Sequence, residues 1–238
     1  MDVSTNARED EQTLVGIGLY TVPEAARLSR VPYQTIRRWM LGYVDQRGES
    51  ARDVPPLWHS QVPMVDDTVG LGFLDLVEIR FVHAFRRHGV SLSVIRRTAE
   101  RAYQIFGQDH PFTRIRFKTD GCSIFADVLE KTGPSRLLNL SASQYAFRQV
   151  IEPSLYASLE FSKQDDVLRW YPEYPKRQVV VDPDRSFGRP IVVHGGVPTE
   201  VLAQAAKAEN SERRAAKLFG VPVDAVRAAV SFETKLAV

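Results

Sequence analysis

An α+β chain, helical at both ends with a β-containing stretch between, is the architecture that the sequence predicts. Three observations carry it. Apolar residues recur at helical spacing from Thr21 to Phe106, give way to shorter apolar runs from Phe112, and return to helical spacing from Thr199. With 238 residues, 44% of them hydrophobic and 25% charged, the chain can bury two cores and is too apolar for wholesale disorder.

The elements follow in order. Residues 1–18, beginning MDVSTNARED, read as a flexible polar tail, and 19–107 as a first compact region. Thr21 is placed to cap a helix whose first turn holds Pro23 and Glu24, both favoured there, and two short helices fill the stretch to Met40. Gly42, Gly48, Pro55, Pro56 and Pro63 make 42–63 a loop with room for a short hairpin. Leu74, Val77, Phe81 and Phe85 mark one face of a helix from Phe73 to His88; Gly89 stops it, and Ser91 caps a second helix reaching Phe106.

Residues 108–178 form the β-containing middle. FTRIRFK (112–118) and CSIFADV (122–128) are expected to be strands around a turn at Thr119-Asp120-Gly121. A short helix is expected at Ser143–Val150, then strands at Leu155–Phe161, Val167–Trp170 and Val179–Asp182. Prolines 172, 175, 183 and 190 punctuate the passage into 179–238, where helices are expected at Thr199–Ala208, Ser211–Phe219 and Val223–Leu236.

AARLSRVPYQTIRRW (25–39) has the spacing of a helix-turn-helix. Ala26 supplies the small residue where two helices cross, and Val31, Ile36 and Trp39 fill the small core, the last two on one helical face. Gln34, Arg37 and Arg38 then point outward, with side chains that can read bases and bind phosphates. Arg27, Arg30, Arg37 and Arg38 against Glu24 leave a local excess of +3, in a chain whose net charge is only +2. The turn lacks the usual glycine; Ser29-Arg30 stands there. AAKLFGVPVDAVRAAV (215–230) repeats the spacing with Gly220 in the turn, but its outer face of Asp224, Ala225 and Arg227 is nearly neutral, which leaves protein contact and DNA reading both open.

YTVPEAARLSRVPYQTIRRW, with PPLW (55–58) and FLDLVEIRFVHAFRRHGVSLSVIRR (73–97), resembles the winged helix-turn-helix of MerR-type regulators over roughly 19–106. The resemblance implies a wing, a following helix pair, and phosphate contacts from Arg86, Arg87, Arg96 and Arg97. The chain then departs from that family, which continues into a long coiled-coil helix. RWYP (169–172) and VVVDPDRSFGRPIVVHGGVPTEVLAQAA (179–206), continuing to 236, resemble a small antitoxin-associated domain of unknown function. Joined to a MerR-like helix-turn-helix, this domain resembles the VapB class of antitoxins. That resemblance implies an antitoxin that sequesters a PIN-type ribonuclease toxin and represses its own operon, reading operator duplex DNA as a homodimer. It also implies toxin contacts from Trp170, Tyr171, Arg185, Phe187, Arg189 and Lys235. The alternative is a stand-alone MerR-like regulator with a ligand-sensing middle region.

Enzymatic chemistry is not expected. The histidines (59, 83, 88, 110, 194) lack metal-ligand spacing, Asp165-Asp166 reads as a turn, and Gly195-Gly196 has no phosphate-loop lysine after it. Cys122 is the single cysteine, so no internal disulfide can form, and no cofactor or metal is expected. With neither a signal-peptide core nor a membrane-length apolar run, a cytoplasmic location is the default expectation.

Overall fold

The computed structural model describes residues 15–46, 51–64, 68–130 and 155–237. They fall into two compact units, one made of Thr21–Ala157 with Phe161–Val167, the other of Met1–Tyr20, Ser158–Glu160 and Leu168–Val238. The architecture is α+β, with helices dominant and short two-stranded sheets.

In the first unit, α1 (Val22–Ser29) begins at a capping box: the Thr21 hydroxyl accepts from the Glu24 N–H at 3.3 Å, and the Thr21 N–H donates to the Glu24 carboxylate at 2.8 Å. Helix α2 (Tyr33–Leu41) follows a three-residue turn. Strands β2 (Tyr43–Asp45) and β3 (Arg52–Val54) pair antiparallel, Val44 opposite Asp53. They make the hairpin that the loop at 42–63 left room for. The short strands β1 (Tyr20–Thr21) and β4 (Gly70–Leu71) pair with each other. Helix α3 (Phe73–Arg87) and helix α4 (Leu92–Phe106), capped by Ser91, lie where the sequence places them.

The largest departure comes next. Residues 112–128, expected to form a hairpin, instead run from a short 3-10 turn at Pro111–Thr113 into helix α5 (Ile115–Glu130). Phe117, Gly121, Ile124, Phe125 and Val128 are buried, a helical spacing that places one face of α5 against α4. Asp120-Gly121, which reads as a turn, sits mid-helix, its glycine on the buried face. Tertiary packing outweighs local propensity here: Phe112, Phe117 and Phe125 join Phe85 in an aromatic core, with ring centroids 4.8–6.0 Å apart, and Tyr156 packs against Phe81 at 4.8 Å in a tilted pair. The helix expected at Ser143–Val150 lies outside the described residues.

In the second unit, β5 (Leu159–Phe161) and β6 (Val167–Trp170) form a hairpin through which the division between the units passes. Strands β7 (Val179–Val180) and β8 (Ile191–Val192) pair antiparallel, and Val181 bridges back to Trp170. Helices α6 (Thr199–Ala208), α7 (Glu212–Phe219) and α8 (Val223–Leu236) pack around Val192, Leu202, Ala215, Val221, Val226 and Ala229. Residues 15–18, assigned by sequence to the tail, and Leu19 and Tyr20, assigned to the first region, group with this unit: Leu19 N–H donates to the Phe187 carbonyl at 3.0 Å and Tyr20 Oη to the Gly188 carbonyl at 2.7 Å.

Candidate nucleic-acid interface and partner surface

The helix-turn-helix is built from a tight turn and a small core. Arg30 ends α1 in the left-handed conformation, φ 59° and ψ 30°, a position that glycine usually takes. Val31, Ile36 and Trp39 are buried as their spacing requires. The small residue at the helix crossing is Ala25, fully buried, and not Ala26, which is half-buried one position round the helix. The Ser29 hydroxyl donates to the Ala25 carbonyl at 2.6 Å and accepts from Val31 N–H at 3.3 Å, so the turn is tied by a side chain where glycine is lacking.

The outer face of α2 presents Gln34, Arg37 and Arg38, all exposed, and Arg30 is exposed beside them. Two tyrosines steer the arginines. Arg37 lies over the Tyr33 ring at 5.9 Å and donates to its hydroxyl at 3.3 Å; Arg38 lies over the Tyr43 ring at 4.0 Å. The Tyr33–Arg37 pair is legible in sequence as an i, i+4 spacing; the Tyr43 contact depends on the hairpin and is not.

That hairpin has the place of a wing, and its base is fixed from several sides. Gly42, at φ +74°, starts it where a Cβ would fall 2.3 Å from the Val54 carbonyl oxygen. Leu57 N–H donates to the Trp39 carbonyl at 2.8 Å. From α4, the Arg96 guanidinium donates to the Pro56 and Pro55 carbonyls at 2.5 and 2.8 Å. Arg96, expected at phosphate, is therefore half-buried and engaged as a strut under the wing. Arg86 is exposed and donates to the Val90 carbonyl at 2.9 Å; Arg87 and Arg97 are exposed.

Below the wing, the wholly buried Asp75 gathers donors from three segments. Its carboxylate accepts from Trp58 Nε1 at 2.8 Å, Ser60 Oγ at 2.8 Å, Gln61 N–H at 3.1 Å and Gly72 N–H at 2.7 Å, and His110 Nε2 stands 2.7 Å away. One turn on, burial pushes the Glu78 carboxyl well above the usual carboxylate range, against a hydrogen bond from Phe112 N–H that favours ionisation. A lone Asp in a helix's first turn gives no sequence sign of such a hub, because its partners lie up to 35 residues away.

In the second unit, α7 and α8 repeat the geometry of α1 and α2. Gly220 (φ 63°) takes the place of Arg30, Val221 of Val31, Pro222 of Pro32 and Val226 of Ile36. The electrostatics do not repeat. Arg227 is paired with Glu212 and with Asp224, each at 3.0 Å, so the outer face of α8 offers no comparable row of available arginines.

The residues expected at a toxin divide by burial. Trp170 and Tyr171 are only 4% and 8% exposed and belong to the core, where Tyr171 packs with Val180 and Ile191. They cannot present their rings to a partner, and this corrects the expectation for both. Phe187 is 69% exposed. Arg185 and Arg189 flank it, exposed, and Lys235 is paired with Glu173 at 2.5 Å. Among the described residues no group of three or more His, Cys, Asp or Glu could hold a metal ion, and no helix is long and apolar enough to cross a membrane.

Residues 18–99 match the family described as "Putative DNA-binding HTH domain". The chain is 27% identical over 227 residues to the protein named "Putative antitoxin VapB45" from Mycobacterium tuberculosis, a match covering 90% of this chain and 93% of that protein. The X-ray crystal structure of Rv2018 from Mycobacterium tuberculosis has the same fold, with a TM-score of 0.70 at 23% identity, covering 91% of this chain and 99% of that one. The chain thus carries an N-terminal helix-turn-helix DNA-binding domain and is, over nine-tenths of its length, a homologue of a mycobacterial protein named as an antitoxin.

Proposed function

We propose that this protein is a type II antitoxin that binds and inhibits a PIN-type ribonuclease toxin and represses its own operon as a homodimer. The observation that carries the DNA half is the outer face of α2: Gln34, Arg37 and Arg38 stand exposed beside a braced wing, on a domain of the DNA-binding helix-turn-helix kind. Arg37 and Arg38 contact phosphates or guanine edges, Gln34 reads a base, and Arg30, Arg86 and Arg87 add backbone contacts. Arg96 acts through the wing it holds. The toxin half is supported by the homologue's name and by exposed Arg185, Phe187 and Arg189, with Lys235 at their unit's C-terminal helix. The function is regulatory and not enzymatic.

The test separates the two halves. The double variant R37A/R38A is compared with wild type for binding to duplex DNA from upstream of its own gene, and for co-elution with the proposed PIN-type ribonuclease toxin. The expected result is loss of DNA binding with the complex intact, and a wild-type footprint with two-fold symmetry. Loss of both activities, or of neither, refutes the assignment.

A further inference from the structure

The turn Ser186–Phe187–Gly188 is left-handed throughout, with φ of 50°, 54° and 78°. Two of its three residues are not glycine, and one is a phenylalanine, whose side chain is poorly suited to that region. Such a conformation persists only where its surroundings over-determine it. Here four hydrogen bonds do so: Gly188 N–H to Arg185 O at 2.9 Å, Arg189 N–H to Ser186 O at 3.0 Å, Leu19 N–H to Phe187 O at 3.0 Å, and Tyr20 Oη to Gly188 O at 2.7 Å. The strain does not bury the phenylalanine. Phe187 is left 69% exposed, next to Leu19, itself 46% exposed.

The flanking charges are also arranged. The Arg185 guanidinium lies over Gly196, its Nη2 2.0 Å from where a Cβ would fall, and Gly196 itself is at φ +66°. Neither Arg185 nor Arg189 is paired with a carboxylate among the described residues. The nearest acid in sequence, Asp184, faces the backbone of Gly16. The surface is thus an apolar tip between two available guanidiniums.

We propose that Phe187 and Leu19 form a preformed docking knob that enters an apolar pocket of the toxin, while Arg185 and Arg189 pair with carboxylates on the pocket's rim. This deepens the antitoxin reading and rests on it. Duplex DNA fits the knob less well, because its phosphates satisfy the arginines while its stacked, paired bases offer the ring and Leu19 no apolar pocket. Preorganisation by the strained turn lowers the ordering cost of docking, and a central aromatic ringed by charges is the usual make-up of a binding hot spot.

The experiment is a titration of the full chain with the proposed PIN-type toxin, with thermal unfolding measured in parallel. The key variant is Phe187→Gly, which relieves the strain and removes the ring. The expected signature is a raised unfolding midpoint, by about 2 °C or more, together with affinity weakened about 30-fold or more. Phe187→Ala should match the loss of affinity without the gain in stability. The double variant R185A/R189A should slow association and remove most of its salt dependence. Unchanged affinity in the Phe187 variants, with the wild-type complex forming, overturns the knob and leaves the antitoxin reading standing. So does loss of self-association in Phe187→Ala with nuclease affinity unchanged, because the occupant would then be a second copy of this chain. No complex with the wild-type chain overturns both.

Discussion

Replacing Arg37 and Arg38 together by alanine tests how the N-terminal domain grips DNA. Both side chains are exposed on α2, one steered by Tyr33 and the other stacked on Tyr43, so each reaches outward from a fixed base. If each neutralises one phosphate, each contributes about 0.9 to the slope of log affinity against log salt. The double variant should then have a slope shallower by about 1.8. Over a fourfold rise in salt, wild type should lose roughly tenfold more affinity than the variant does. Fluorescence anisotropy on operator duplex at several salt concentrations reads this directly. The fold should survive, because the changes remove only surface contacts of about 0.5–1 kcal/mol each; a circular dichroism melt checks that. An unchanged slope with full affinity would show that α2 does not face the phosphates.

Two further outcomes probe the brace beneath the wing. Asp75→Ala orphans several buried donors, among them Trp58 Nε1 and the Gly72 N–H, and should cost about 3 kcal/mol or more in a urea titration; a loss under 1 kcal/mol would mean that the hub is not structural. Burial raises the Glu78 carboxyl in the folded chain, so it ionises at higher pH there than in the unfolded chain, whose carboxyl ionises about its ordinary 4.5, and wild type loses stability as pH rises from that point. Glu78→Gln lacks this loss, so its stability advantage should be small below pH 4.5 and widen above it; a gap that is flat with pH would refute the assignment.

The helices were legible where one face carries a regular apolar row and the ends carry caps. Thr21 with Glu24, and Ser91, mark their helix starts in the sequence as in the fold. Residues 112–128 were not legible, because Phe112, Phe117 and Phe125 are selected by an aromatic core assembled from distant segments, and Asp120-Gly121 mimics a turn. The outward face of α2 followed from assigning Ile36 and Trp39 to the core. Burial of Trp170 and Tyr171 did not follow, since aromatic type alone does not separate a core ring from an interface ring. Nor did the left-handed turn at Phe187: local sequence around Phe-Gly-Arg-Pro gives no reason for a phenylalanine at positive φ, which depends on Leu19 and Tyr20 from the far end of the chain.

The antitoxin reading is tested most directly by RNA cleavage. The proposed PIN-type toxin, purified, is titrated with the full chain, and the cleavage rate of a single-stranded RNA is followed. Cleavage should fall in proportion to added protein and stop at a fixed stoichiometric ratio, with R37A/R38A as effective as wild type. Cleavage that continues undiminished in excess of the chain would contradict the reading.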